Sequence, residues 1–108
     1  MKKELDNLMN ALGKFQKDYP EQTNSFLGFL ESVEKDGKLS RKTKELISLA
    51  IAVAVKCKGC IAFHVHEALK AGAKKEEIFE AAYVAVAMAG GPALVYMQYV
   101  AEAVKDFS

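Results

Sequence analysis

Apolar residues in this chain recur every three or four positions, and nowhere do they alternate with polar residues over a useful length. Recurrence at three and four lines up side chains on one face of an α-helix, whereas strict alternation is the pattern of a half-buried β-strand. The sequence therefore predicts an all-α fold. The first helix shows the pattern most clearly, in Leu5, Leu8, Met9, Leu12 and Phe15.

Caps and turn residues divide the chain into six predicted helices with short connections. Proline suits a first helical turn, serine an N-cap, and glycine the end of a helix. We therefore expect one all-α domain over residues 1–108. The predicted boundaries are Pro20 after the first helix, Asp36-Gly37 after the second, Ser40 and Lys56 around the third, Cys57-Lys58-Gly59 as the next connection, Gly72 after the fourth, Lys75 and Ala89 around the fifth, and Pro92 and Asp106 around the sixth.

The chain has more apolar helix surface than a domain of its size can bury. Leu46–Val55 is apolar apart from Ser48, which predicts that the third helix is buried on nearly all sides. Residues 81–100 carry no formal charge, but Gly90-Gly91-Pro92 interrupts them, so two buried helices are expected rather than a membrane span. A chain of 108 residues buries only roughly two-thirds of its unfolded surface. We therefore expect these helices to pack against further copies of the chain.

The distribution of charge argues against a nucleic-acid partner, and the N-terminal sequence argues against secretion. The 15 basic and 14 acidic residues give a formal charge of +1. The basic cluster from Lys35 to Lys44 contains Asp36 and no aromatic residue, which is typical of a solvated loop rather than a nucleic-acid site. No apolar leader is present at the start, so no signal peptide is predicted. We expect a cytoplasmic protein that binds neither nucleic acid nor membrane, in a compartment where a Cys-x-x-Cys pair is more often catalytic or metal-binding than structural.

The only two cysteines, Cys57 and Cys60, lie at the predicted start of the fourth helix, and His64 follows one turn later. Cysteines at this spacing can close into a disulfide and reopen, which transfers two electrons. Residues four apart share a helix face, so His64 can take the proton of Cys60. The free N–H groups at the start of a helix would instead stabilise the thiolate of Cys57. The residues therefore predict thiol–disulfide redox chemistry and leave open which sulfur attacks.

Other roles are open to these side chains. The cysteine pair and His64 could supply three zinc ligands, with Glu45 or His66 as the fourth. His66, however, lies about 200° around the helix from His64, and the chain has no second Cys-x-x-Cys. Haem attachment requires a histidine where Ile61 stands. The cysteines could also be small buried apolar residues, and His66 is expected at the surface or at an interface.

Glu45 is the only carboxylate in the otherwise apolar third helix. It could be solvated near the first turn, where it would favour the helix dipole, or it could be buried beside His64 as a proton acceptor. Straight helix from Glu45 to the first cysteine would span about 18 Å. Spacing alone therefore does not bring Glu45 to the thiols, and only a crossing of two helices would.

Together these residues resemble one known family. Glu45, eleven residues, Cys57-Lys58-Gly59-Cys60, three residues and His64 have the order and spacing of the alkylhydroperoxidase D-like branch of the carboxymuconolactone decarboxylase family. The resemblance extends through Glu67–Ala73, Glu76-Glu77-Ile78 and the Gly90-Gly91-Pro92 turn. It implies an all-α fold and a homo-oligomer, either a trimer or a hexamer.

The resemblance also implies roles for the site residues. In the peroxidase branch the second cysteine attacks a hydroperoxide, the first resolves the product to a disulfide, and a histidine and a glutamate relay protons. Carried over, these are Cys60, Cys57, His64 and Glu45. The implied partners are a hydroperoxide substrate and a reducing protein or small dithiol, with no bound cofactor.

Two departures from that branch stand out: Lys58-Gly59 occupies the place of a further histidine, and the chain is shorter than that peroxidase. The first reading is a thiol-dependent peroxidase or disulfide reductase that acts on hydroperoxides. Decarboxylase members of the family lack the cysteine pair, so a lactone-decarboxylating lyase is disfavoured and is the second reading. A non-enzymatic oligomer with a structural zinc is the third.

Overall fold

The computed structural model describes residues 1–108 as six α-helices joined by short connections, with no strand. The prediction of an all-α fold is confirmed. The helices are α1 (Lys2–Asp18), α2 (Pro20–Glu34), α3 (Arg41–Ala54), α4 (Lys58–Lys70), α5 (Lys75–Ala89) and α6 (Gly91–Phe107).

Local signals set several of these boundaries. The side chain of Ser40 caps α3 by accepting a hydrogen bond from the backbone N–H of Thr43 at 3.1 Å. Pro20 is the first residue of α2, where its missing N–H costs no helical hydrogen bond. Gly72 follows α4 with a φ of 94° and Gly90 follows α5 with a φ of 79°, a conformation that glycine adopts without the steric cost of a Cβ. The structure confirms these predicted boundaries.

The core lies between α3, α4, α5 and α6. Helix α3 packs mainly on α4 and α5, and α6 packs on the same two helices. Alanines at the contacts let the helices approach closely, and larger side chains fill the remaining space. The contact of α3 with α4 is the one that positions the site. The fully buried apolar side chains are Leu49, Val53, Ile61, Ala62, Val65, Ala68, Ile78, Ala82, Ala93, Val100 and Ala103.

The two N-terminal helices form an outer pair that polar contacts fasten to the core. The amino group of Met1 donates hydrogen bonds to Glu102 at 2.7 Å and Asp106 at 2.8 Å. The bond to Asp106, helped by the one to Glu102, raises the pKa of the amino group, and the same bond lowers the pKa of the Asp106 carboxyl. Ser48 of α3 donates to the buried Glu34 of α2 at 2.6 Å. The polar residue within the apolar stretch of α3 thus ties α2 to the core.

One face of α3 is exposed in the single chain. Its residues Ile47 and Ile51 and its C-cap Val55, which we call the α3 stripe, are 46%, 57% and 64% exposed. The prediction that this helix is buried on nearly all sides is wrong for the single chain, because its main contacts with α4 and α5 leave the stripe open.

None of the six helices has both the length and the apolar character needed to cross a membrane. Further large apolar side chains are exposed on the last two helices, namely Tyr83, Val84, Met88, Leu94 and Val95.

Candidate functional site

Cys57 and Cys60 form a disulfide at the N-terminus of α4. Their Cα atoms are 5.2 Å apart, and both residues are partly buried. Cys57 is the N-cap, and its Sγ accepts a hydrogen bond from the backbone N–H of Cys60 at 3.3 Å. The helix begins at Lys58, so the predicted connection over residues 57–59 is shorter than expected. Since the first N–H groups of a helix lack internal partners, the Cys57 sulfur lies where negative charge is stabilised.

The crossing of α3 over α4 brings Glu45 to His64. Glu45 Oε1 is 2.7 Å from His64 Nδ1, both in the same chain. The Glu45 side chain is 1% exposed and that of His64 is 14% exposed. The reading of Glu45 as a solvated residue of the first helical turn is therefore wrong. The packing of two helices closes the distance that spacing along the sequence left open.

The contact with Glu45 determines which ring nitrogen of His64 carries the hydrogen. Because Nδ1 faces a carboxylate oxygen, it carries the hydrogen and donates it, which leaves the lone pair of Nε2 free in the neutral ring. His64 and Cys60 lie four residues apart on α4, a spacing that places both side chains on one face of the helix. The ring also forms a T-shaped contact with the Phe63 ring, with centroids 5.1 Å apart. The arrangement can take a proton from a thiol at one nitrogen while the carboxylate holds the other.

Arg41 completes the surroundings of Glu45 and was missed by the sequence analysis. Its Nη2 is 3.7 Å from Glu45 Oε2, and its Nη1 donates to Glu31 Oε1 at 3.2 Å. Burial lowers the pKa of the guanidinium, but the hydrogen bond to Glu31 and the charges of the surrounding carboxylates outweigh this effect, so its pKa lies above the ordinary value. The four-residue spacing of Arg41 and Glu45 on a helix was the available signal.

His66 lies apart from the thiols, at the surface as expected. Its Nδ1 is 3.0 Å from Glu67 Oε2, and its side chain is 45% exposed. Its ring forms a T-shaped contact with the Phe107 ring, with centroids 5.3 Å apart. No group of three or more His, Cys, Asp or Glu side chains is arranged to hold a metal ion, and the two sulfurs are bonded to each other. The ligand set considered for zinc is therefore not assembled in this disulfide form.

Lys58 stands between the two cysteines and points towards α6. Its Nζ lies 4.8 Å from the centroid of the Tyr99 ring, within the range of a cation–π contact. The residue is exposed. A lysine held in this way carries a positive charge beside the disulfide but forms no part of the Glu45–His64 pair.

Comparison with known proteins gives one consistent family. The model of the carboxymuconolactone decarboxylase family matches residues 20–103. An uncharacterised protein of Cupriavidus necator is 34% identical over 93 residues, which is 86% of this chain and 80% of the relative.

Two solved structures share the fold. A carboxymuconolactone decarboxylase family protein of Legionella pneumophila, crystallised in its apo form, superposes with a TM-score of 0.95 at 41% identity, covering 99% of this chain and 96% of that one. A family member of Thermotoga maritima, suggested to take part in an antioxidative response, superposes with a TM-score of 0.85 at 26% identity, covering 94% and 87%.

Proposed function

Because this chain belongs to the carboxymuconolactone decarboxylase family, we propose that it is a thiol-dependent peroxidase of the alkylhydroperoxidase D-like type. The observation that carries the proposal is a buried Glu45–His64 pair one helical turn from a Cys57–Cys60 disulfide. An incidental cysteine pair has no need of a base held by a buried carboxylate. The suggested antioxidative role of the Thermotoga maritima relative supports the same chemistry.

The cycle begins from the reduced protein. His64 Nε2 takes the proton of the Cys60 thiol, and the thiolate attacks one oxygen of a hydroperoxide. The O–O bond breaks, the sulfur is oxidised by two electrons to a sulfenic acid, and the alkoxide leaves. His64 returns its proton to the alkoxide, which departs as an alcohol, or as water when the substrate is hydrogen peroxide.

The second sulfur closes the cycle. Cys57 attacks the sulfenic sulfur, an S–S bond forms, and the hydroxyl leaves as water with the proton of the second thiol. The product is the disulfide seen in the structure. An external dithiol then returns two electrons and two protons by exchange, and is itself oxidised. We assign the attack to Cys60 because His64 lies one turn beyond it and because this is the order in the peroxidase branch. Cys57 at the N-cap then acts as the resolving thiol.

Peroxide consumption by single-cysteine variants tests these roles. Cys60→Ser should abolish the consumption of cumene hydroperoxide or hydrogen peroxide in the presence of dithiothreitol. Cys57→Ser should stop at the sulfenic acid when dithiol is absent, and dimedone should trap it as a mass adduct on Cys60. Peroxide consumption by Cys60→Ser at the rate of the unchanged protein would remove the assignment. Lactone turnover that thiol alkylation leaves intact would favour the lyase reading instead.

We also propose that the protein is a homo-oligomer, a trimer or a hexamer, that covers the α3 stripe. Its support is the exposure of Ile47, Ile51 and Val55 together with the apolar side chains exposed on α5 and α6. Sedimentation at micromolar concentration should give a species larger than the 11.8 kDa chain. Ile51→Glu should reduce its size without loss of helix content. A monomer at that concentration would contradict the proposal.

A further inference from the structure

We propose that Arg41 is a positioning residue of the thiol site, whose fixed positive charge keeps the buried Glu45 carboxylate ionised and directed at His64. The inference deepens the proposed peroxidase function and rests on it for its meaning in catalysis. The effect of the Arg41 charge on proton binding by the site can be measured without any peroxide.

Arg41 occupies the junction of three helices. It is the first residue of α3, its Nη1 donates to Glu31 of α2 at 3.2 Å, and its Nη2 is 3.9 Å from Glu67 Oε1 of α4. The same Nη2 lies 3.7 Å from Glu45 Oε2. The outer carboxylates therefore hold the guanidinium against the buried one, and the planar fork of arginine suits a position between several carboxylates.

The burial of Glu45 explains why this contact matters. An ionised carboxylate that is 1% exposed is costly unless a positive group or hydrogen-bond donors compensate it. Each oxygen has one such neighbour: Oε1 faces His64 and Oε2 faces Arg41. In the proposed cycle His64 gains a proton and then gives it up. Whenever His64 is neutral, Arg41 is the remaining positive charge in contact with the carboxylate.

A solvent-accessible pocket lies against Arg41 on the side away from Glu45. The pocket has a volume of about 440 Å³ and is lined by Glu31, Arg41, Glu67, Lys70 and Ala71. Glu45 does not line it, so the guanidinium stands between the pocket and the buried carboxylate. The Arg41 side chain is 35% exposed, and solvent screens part of its charge. Its effect on the site is therefore moderate rather than decisive for folding.

The loss of the Arg41 charge should raise the proton affinity of the site. Without the guanidinium, the cluster of Glu45, His64 and the reactive thiol loses a nearby positive charge and binds protons more tightly. Less thiolate is then present at a given pH. The rate of alkylation of reduced Cys60 should consequently rise at a higher pH in Arg41→Gln, with a midpoint about half a unit to one unit above that of the parent.

Alkylation by iodoacetamide across pH, measured in a Cys57→Ser background so that only Cys60 reacts, tests this. Arg41→Lys keeps the charge and should restore most of the parent midpoint. Lys42→Gln is the matched control, because it removes the same charge from the next residue, whose partly buried Nζ pairs with Glu77 of α5 at 2.9 Å. It should leave the midpoint in place. A merely structural role of Arg41 would change the melting temperature without moving the midpoint.

The variant Glu45→Gln identifies the path of the effect. If Arg41 acts through Glu45, adding Arg41→Gln to Glu45→Gln should cause no further shift. Should Arg41→Gln alone fail to fold, the double variant should fold, because it no longer buries an anion that has lost its fixed positive neighbour. An unchanged midpoint in Arg41→Gln, an equal shift in both backgrounds, or a double variant that also fails to fold would overturn the proposal. A shifted midpoint in a protein that consumes no peroxide would remove the peroxidase function and leave the role of Arg41 intact.

Discussion

Reduction of the Cys57–Cys60 bond should leave the protein folded, at a loss of about 2 kcal/mol in the free energy of unfolding. A disulfide stabilises mainly by closing a loop in the unfolded chain, and the two cysteines are separated by only 3 positions. The chain-entropy relation gives about 2 kcal/mol for so short a loop, against about 4.7 kcal/mol for a loop of 100 residues. For a domain of this size the melting temperature should fall by about 8 °C. The proposed cycle, in which the disulfide opens at every turnover, requires such a tolerant fold.

Urea unfolding followed by circular dichroism, with and without a phosphine reductant, measures this loss. Protein concentration must be equal in both series, because association would shift the midpoint by mass action. The double variant Cys57→Ser/Cys60→Ser is the control, since serine keeps the N-cap of α4 and its stability should not respond to the reductant. The reasoning is refuted if the reduced protein is unfolded or loses more than about 4 kcal/mol, a loss in the range of structural disulfides.

Three further changes should have separate consequences. His64→Gln should slow the oxidation of Cys60 by peroxide about 100-fold or more in stopped-flow measurements. The control variant His66→Gln should react with peroxide as the unchanged protein does. Equal effects of the two substitutions would contradict the role of His64. Leu49→Ala should cost about 2–5 kcal/mol in urea unfolding, because the fully buried side chain leaves a cavity; a loss well below this range would mean that α3 is not a core helix. The lowered pKa of Asp106 means that its pair with the Met1 amino group stabilises the fold above the ordinary value of 3.8 and is lost as the pH falls below it. Since the pKa of the amino group is raised, the same pair weakens as the pH rises beyond 8.0. Asp106→Asn should therefore lower the melting temperature most between these limits, and a constant difference across pH would contradict the pairing.

The fold could be predicted closely because its boundaries are set locally. Ser40 can cap a helix, Pro20 can begin one and Gly72 can adopt a positive φ in almost any surroundings, so each signal is present in a few neighbouring residues. Burial is different, because it depends on which helices cover which face. The apolar stretch Leu46–Val55 predicts a covered helix but not what covers each residue, and Ile51 is exposed in the single chain.

The site could be predicted only in part, for the same physical reason. Cys57, Cys60 and His64 lie on one helix, and their proximity follows from its period. The contact of Glu45 with His64 depends on how α3 crosses α4, which spacing along the sequence does not specify. The spacing of Arg41 and Glu45 on α3 permits their contact, but Glu31 and Glu67 come from two other helices, and only the fold brings those two carboxylates to Arg41.

Titration of the free thiols before and after hydrogen peroxide, with intact mass measured on both samples, tests the central claim most directly. The fully reduced chain should show two free thiols, and peroxide should remove both with a loss of two hydrogens per chain. Dithiothreitol should restore the original mass and both thiols. Thiols that survive peroxide unchanged, or cysteines that cannot be titrated until a metal is chelated, would contradict a reversible redox pair at Cys57 and Cys60.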